Sequence, residues 1–144
     1  MTHENDLSRF VAAQEHEYDD ALREIRGGRK TSHWMWYIFP QLRGLGFSEM
    51  ATYYGLQDLA EAKAYLAHPV LGKRLREICH ALLSLQDPNP DVVFGYPDNL
   101  KLCSSMTLFE QVAEGNDSVF SQVLDSCFQG RRDQRTLSML SGKT

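Results

Sequence analysis

The sequence predicts an all-α fold, a single multi-helical bundle spanning residues 1–144. Three observations predict it. Apolar residues recur at spacings of three and four along most of the chain, and Ser, Asp, Pro and Gly stand where helices would start and stop. No run alternates apolar with polar residues for more than a few positions. At 144 residues the chain suits one domain, long enough to bury a core without disulfides or a structural metal.

The elements follow in order. Phe10, Gln14, Tyr18, Ala21 and Ile25 mark one face of a first helix from Leu7 to Arg26, with most of its carboxylates opposite and Gly27-Gly28 as the stop. Thr31 or Ser32 caps a short helix from Ser32 to Phe39, which ends at Pro40 because proline disfavours a helical residue before it. Gly44-Leu45-Gly46 turns the chain, Ser48 caps a helix up to Gly55, and Asp58 and Glu61 have capping-box spacing ahead of LAEAKAYLA. Pro69 opens a helix to about Leu85, preceded by His68 as a candidate cap, and Asn89-Pro90 starts a single turn. DVVF is the best strand candidate and is short. Pro97 opens a helix to about Glu114 with Leu102, Met106, Phe109 and Val112 inward. Asn116 or Asp117 caps SVFSQVLDSCF, Gly130 stops it, and Asp133 caps QRTLSML.

Composition narrows the function classes. Lys+Arg 15 against Asp+Glu 19 gives a net charge of -4, which argues against phosphate-backbone binding and makes nucleic acid a poor partner. Cys79, Cys103 and Cys127 form no CxxC or metal spacing and read as reduced core thiols of a cytoplasmic protein. No apolar run approaches the ~18 residues that span a bilayer, and MTHENDLSRF lacks the pattern of a signal peptide. The histidines have no metal-ligand pattern, and GLG lacks the third glycine and preceding strand of a phosphate loop, so neither metal nor cofactor is expected.

The stretch KTSHWMWYIFPQLRGLG, residues 30–46, carries aromatic groups around nearly every side of a helix, so it must be enclosed. Packing explains its aromatic content; it does not explain Lys30, His33, Gln41 and Arg43, each of which needs a hydrogen-bonding partner. Gln14 lies on the apolar stripe of the first helix. In PDNLKLCSSMTLF, Asp98, Lys101 and Ser105 share a helix face, and Ser104, Ser105 and Thr107 are indifferent helix formers that occur where bulk is excluded or a hydroxyl is used. K-x-x-S-S is not the S-x-x-K of a Ser-Lys nucleophile.

GGRKTSHWMWYIFPQLRGLGFS, EAKAYLAHPVLGKRL and DNLKLCSSMTLF together resemble the family named domain of unknown function 1810, over nearly the whole chain and most specifically in HWMWYIFPQ. The resemblance implies a compact, single-domain helical fold and no established activity. Some members carry the label calpastatin, but nothing in this sequence resembles a disordered protease-inhibitor repeat.

Two function classes follow as expectations. The first is a pocket for a small, anionic, partly planar and nucleotide-like metabolite, lined by the first helix, the His33 segment and the Lys101 helix. Gln14, Lys30, Trp34, Trp36, Gln41, Arg43, Lys101, Ser105 and Thr107 would bind the ligand, and His33 would transfer a proton if the pocket is catalytic. The second is a non-enzymatic protein-interaction module in which the aromatic segment is core.

Overall fold

The structure, a computed structural model, describes residues 7–115 and 117–142. Among them the helices are α1 (Ser8–Arg26), α2 (Met35–Ile38), α3 (Glu49–Tyr54), α4 (Leu59–Ala67), α5 (Leu71–Leu83), α6 (Pro90–Val93), α7 (Asp98–Val112), α8 (Val119–Phe128) and α9 (Gln134–Ser141). The described residues hold no strand, only an isolated parallel bridge between Leu42 and Leu56.

Four helices close a ring: α4 packs on α5, α5 on α8, α8 on α7, and α7 back on α4. Helix α1 lies against α5 and α2, α3 rests on α2, and α6 and α9 pack on α7. Helix α7 is therefore hemmed in by its neighbours, and Ser104 through Phe109 are buried without interruption. This enclosure explains the small hydroxylated residues there, since a full apolar complement would not fit between so many close helices. Aromatic contacts run through the bundle from Tyr54 to Phe10, Tyr65, Phe109 and Phe120, with centroid separations of 5.0 to 5.7 Å. A second cluster joins Trp34, Phe39 and Phe94.

Most boundaries follow local chemistry. Ser48 Oγ accepts from the Ala51 N–H, Asp58 Oδ1 from Glu61 and Asp133 Oδ2 from Thr136, each satisfying a first-turn donor. His68 Nδ1 accepts from the N–H groups of Val70 and Leu71, so α5 starts at Leu71, two residues beyond Pro69.

Three expectations are corrected. The helix at 32–39 is a single turn, because Trp34 and Phe39 leave helical dihedrals and Thr31 and Ser32 donate their N–H groups to Glu24 instead of capping. DVVF is mostly the α6 turn, set by Asn89 Oδ1 accepting from Asp91 N–H. Asp117 does not cap α8, whose N-cap is Ser118; its carboxylate binds the Arg76 guanidinium at 2.9 Å. The alternative cap, Asn116, lies outside the described residues.

Candidate functional site

Two adjoining cavities lie where α7 meets the α2–α3 link. The larger is a groove of about 470 Å³ between Gln41, Leu45 and Gly46 of that link, Leu100, Lys101, Cys103 and Ser104 of α7, and Phe128, Arg131, Asp133 and Arg135. The smaller is a slot of about 10 Å³, bounded by Trp36, Phe39, Ala51 and Tyr54. Gln41 and Lys101 line both.

Local structure builds each wall. Gln41 is held at the base of the α3 excursion, where its carbonyl accepts from Leu56 N–H at 2.9 Å and Arg43 N–H donates to Leu56 O at 2.8 Å. Gly44, with φ 105°, makes the turn that returns the link toward the groove, a conformation that favours glycine. On the far wall, Gln129 at φ 54° and Gly130 at φ 79° end α8 and start the link that carries Arg131 and leads to Arg135 on α9. That link is tied to α7 by polar contacts. Asp133 Oδ2 accepts from Ser104 Oγ at 3.0 Å, Thr107 Oγ1 accepts from Asp133 N–H at 2.9 Å, and Arg132 grips the Glu110 carboxylate. The hydrogen bonds from Arg132, opposed by burial, hold the Glu110 carboxyl below the usual range.

The groove is positively charged. Lys101 Nζ lies 3.6 Å from Asp98 Oδ1, while Lys30 Nζ holds Asp98 Oδ2 at 2.8 Å, so one carboxylate serves two ammonium groups. Lys101 also sits over the Trp36 ring, 5.4 Å from its centroid. Arg131 donates to the neutral Gln129 side chain, and among the described residues neither Arg131 nor Arg135 has an ion pair. Cys103 lines the groove rather than the core, and burial pushes its thiol up, so it is not a ready thiolate. Cys79 and Cys127 are buried as free thiols.

The residues predicted for the site divide accordingly. Trp36, Gln41 and Lys101 come together at the junction of the two cavities. Lys30 lies behind them, with Asp98 on one side and the Trp34 ring 5.2 Å away. Ser105, one turn beyond Lys101, is sealed in the core with its hydroxyl unpartnered. The others stand apart. Gln14 is a core amide that donates to Tyr37 O and Tyr65 Oη and accepts from Arg74, so α1 lines neither cavity. Trp34 is fully buried with its indole N–H on Glu24, and Thr107 anchors Asp133. Arg43 is exposed and donates to Thr52 O. His33 is exposed and its ring lines neither cavity. The sequence singles out Ser104 for its hydroxyl but not as a ligand group, and Arg131, Asp133 and Arg135 are missing from the predicted site; the signal available for these three is GRRDQR at 130–135, three arginines in a chain of net charge -4.

A helical domain of this build, with a cationic groove and with Trp34, Met35, Ile38 and Phe39 in its core, defines the class. The family described as protein of unknown function (DUF1810) matches residues 4–140, and the chain belongs to it. It is similar to the crystal structure of the conserved hypothetical protein Rv1873 from Mycobacterium tuberculosis, with 46% identity, a TM-score of 0.92, and coverage of 95% of this chain and 97% of that one. No curated protein matches the chain. Among the described residues no group of His, Cys, Asp and Glu could hold a metal ion, and no helix is long and apolar enough to cross a membrane.

Proposed function

We propose that the groove binds a small anionic metabolite, with Lys101, Arg131 and Arg135 supplying charge and Gln41 and Ser104 hydrogen bonds. One observation carries the reading. In a chain of net charge -4, these cations line one concave surface, and Arg131 and Arg135 are not neutralised by a carboxylate among the described residues. Exposed cations beside apolar surface from Leu45, Pro97, Leu100 and Phe128 suit a compact ligand with both charged and apolar parts. Nucleic acid remains a poor fit, because the chain as a whole carries a net charge of -4. Three free thiols accord with a reducing, cytoplasmic setting.

A thermal-shift screen of phosphorylated and carboxylated metabolites tests this reading. A ligand that stabilises the wild type should stabilise His33→Ala equally, and should fail with Lys101→Ala and with Arg131→Ala/Arg135→Ala. If every stabilising ligand acts equally on all of these variants, the groove is not the site.

A second reading rests on a separate surface. Phe47 is 86% exposed and Tyr53 57%, both on the α3 excursion, which suits an interaction module that contacts a protein partner there. Partner binding lost in Phe47→Ser/Tyr53→Ser, with ligand binding intact, would favour this reading over the first.

A further inference from the structure

The groove and the slot share two side chains, Gln41 and Lys101, and both are free to engage something else. The Gln41 amide makes no side-chain hydrogen bond among the described residues, and its backbone alone is held by the bridge to Leu56. Lys101 is the more weakly held of the two lysines on Asp98, at 3.6 Å against 2.8 Å for Lys30. Its ammonium also lies over the Trp36 ring, 5.4 Å from the centroid. Of the two tryptophans, Trp34 is fully buried and Trp36 only partly, so Trp36 is the ring that a ligand could reach. The slot beside it has aromatic and apolar walls and, at about 10 Å³, room for roughly a single water. One turn beyond Lys101 on α7, Ser105 has a fully buried hydroxyl without a hydrogen-bond partner, whereas its neighbour Ser104 bonds Leu100 O and Asp133.

A cation over an aromatic face has a weaker hold than a cation on an anion, particularly beside a carboxylate that a second lysine already neutralises. An anion entering the groove between Arg131, Arg135 and Lys101 therefore draws the Lys101 ammonium off Trp36. The face it leaves is apolar, planar and next to the Gln41 amide. A flat ring with hydrogen-bonding edges would replace the ammonium there, stacked on Trp36 with Gln41 at its edge.

We propose that the ligand is a heteroaromatic monophosphate of the nucleotide type, and that Lys101 exchanges the Trp36 ring for the phosphate, which uncovers Trp36 to stack the ligand's ring. The proposal rests on the reading of the groove as an anion site and names the class of anion. Lys101 is the coupling residue: phosphate and ring are bound together because one side chain must leave the second subsite to serve the first.

The test compares inorganic phosphate, ribose 5-phosphate and adenosine 5′-monophosphate by calorimetry on the whole chain. Adenosine monophosphate should bind about tenfold tighter than ribose 5-phosphate. Trp36→Leu should remove most of that advantage, while Trp36→Phe should keep it. Acrylamide quenching supplies a second readout. Emission assigned to Trp36 by difference from Trp36→Phe should become more quenchable on adding saturating phosphate to the wild type, and should be equally quenchable with and without phosphate in Lys101→Met. Equal affinity for the two organic phosphates, or Trp36 quenching that phosphate does not alter, overturns the proposal while the anion site stands. If none of the three phosphates binds, the anion site fails and the proposal with it.

Discussion

The indole N–H of Trp34 donates to Glu24 Oε1 at 2.9 Å, and the same carboxylate accepts from Thr31 N–H, Ser32 N–H and Ser32 Oγ at 2.6 to 3.0 Å. One acid on the last turns of α1 thereby fixes the approach to α2 and the depth of Trp34. Burial alone would raise this carboxyl, but the hydrogen bonds from Ser32, Thr31 and Trp34 outweigh it and hold its pKa at about 2, against an ordinary 4.5. Glu24→Gln, which offers one acceptor oxygen in place of two, should lose about 2 kcal/mol in urea denaturation at neutral pH. The pH dependence has a definite sign. Between pH 4.5 and 2 the unfolded chain binds the Glu24 proton and the folded chain does not, so this stabilisation is full above that window and disappears as pH falls through it. The wild type should lose its advantage over Glu24→Gln across that range; a constant difference would refute the assignment.

Asp98 joins two lysines that lie 71 positions apart in sequence, Lys30 and Lys101. The Lys30 side chain is only 8% exposed, so removing its partner leaves a nearly buried ammonium uncompensated. Asp98→Asn should destabilise the fold by roughly 2 kcal/mol, and by much less in a Lys30→Met background. Lys101→Met, which removes the longer and more exposed contact, should cost under about 0.5 kcal/mol. Equal losses for Asp98→Asn in both backgrounds would show that Lys30 is not what Asp98 stabilises.

The hydroxyls of α7 are unequal despite their adjacency. Thr107 accepts from Asp133 N–H and Ser104 donates to its carboxylate, so Thr107→Val and Ser104→Ala should each cost about 1 kcal/mol. Both should speed amide exchange in α9 while leaving α1 unchanged. Ser105→Ala removes a buried hydroxyl with no partner and adds a better helix former, so it should be neutral or stabilise by about 0.5 kcal/mol. A large loss there would mean that the hydroxyl has a partner in solution.

Gly72 sits where α5 meets α4, and a Cβ at this position would stand 2.0 Å from the carbonyl oxygen of Leu66. That atom belongs to the backbone of α4 and cannot rotate aside. Gly72→Ala should therefore force the two helices apart, at a cost of about 2–3 kcal/mol in thermal or chemical unfolding, despite alanine's better helix propensity. A variant as stable as wild type would show that the helices yield easily.

The sequence by itself determined the helical class, the order of the helices and most of their starts, because the apolar period and the caps are local. Ser48, Asp58, Asn89 and Asp133 act within one turn of themselves, so each was legible where it stands. It also marked the 30–46 segment as enclosed, and Trp34, Met35, Ile38 and Phe39 are buried. Only the tertiary structure decided which polar groups meet. The sequence leads one to expect both Gln14 and Lys101 in the pocket. Packing of α1 against α5 and α2 seals the first beneath Tyr37, Tyr65 and Arg74, while α7 leaves the second beside a cavity. Arg131 and Arg135 join Lys101 because α9 folds back on α7 and Asp133 fastens it there. Side chains some 30 positions apart carry no signal of such a meeting in their spacing. It arises from how the helices pack, which fixes the groove, its charge and the slot beside Trp36.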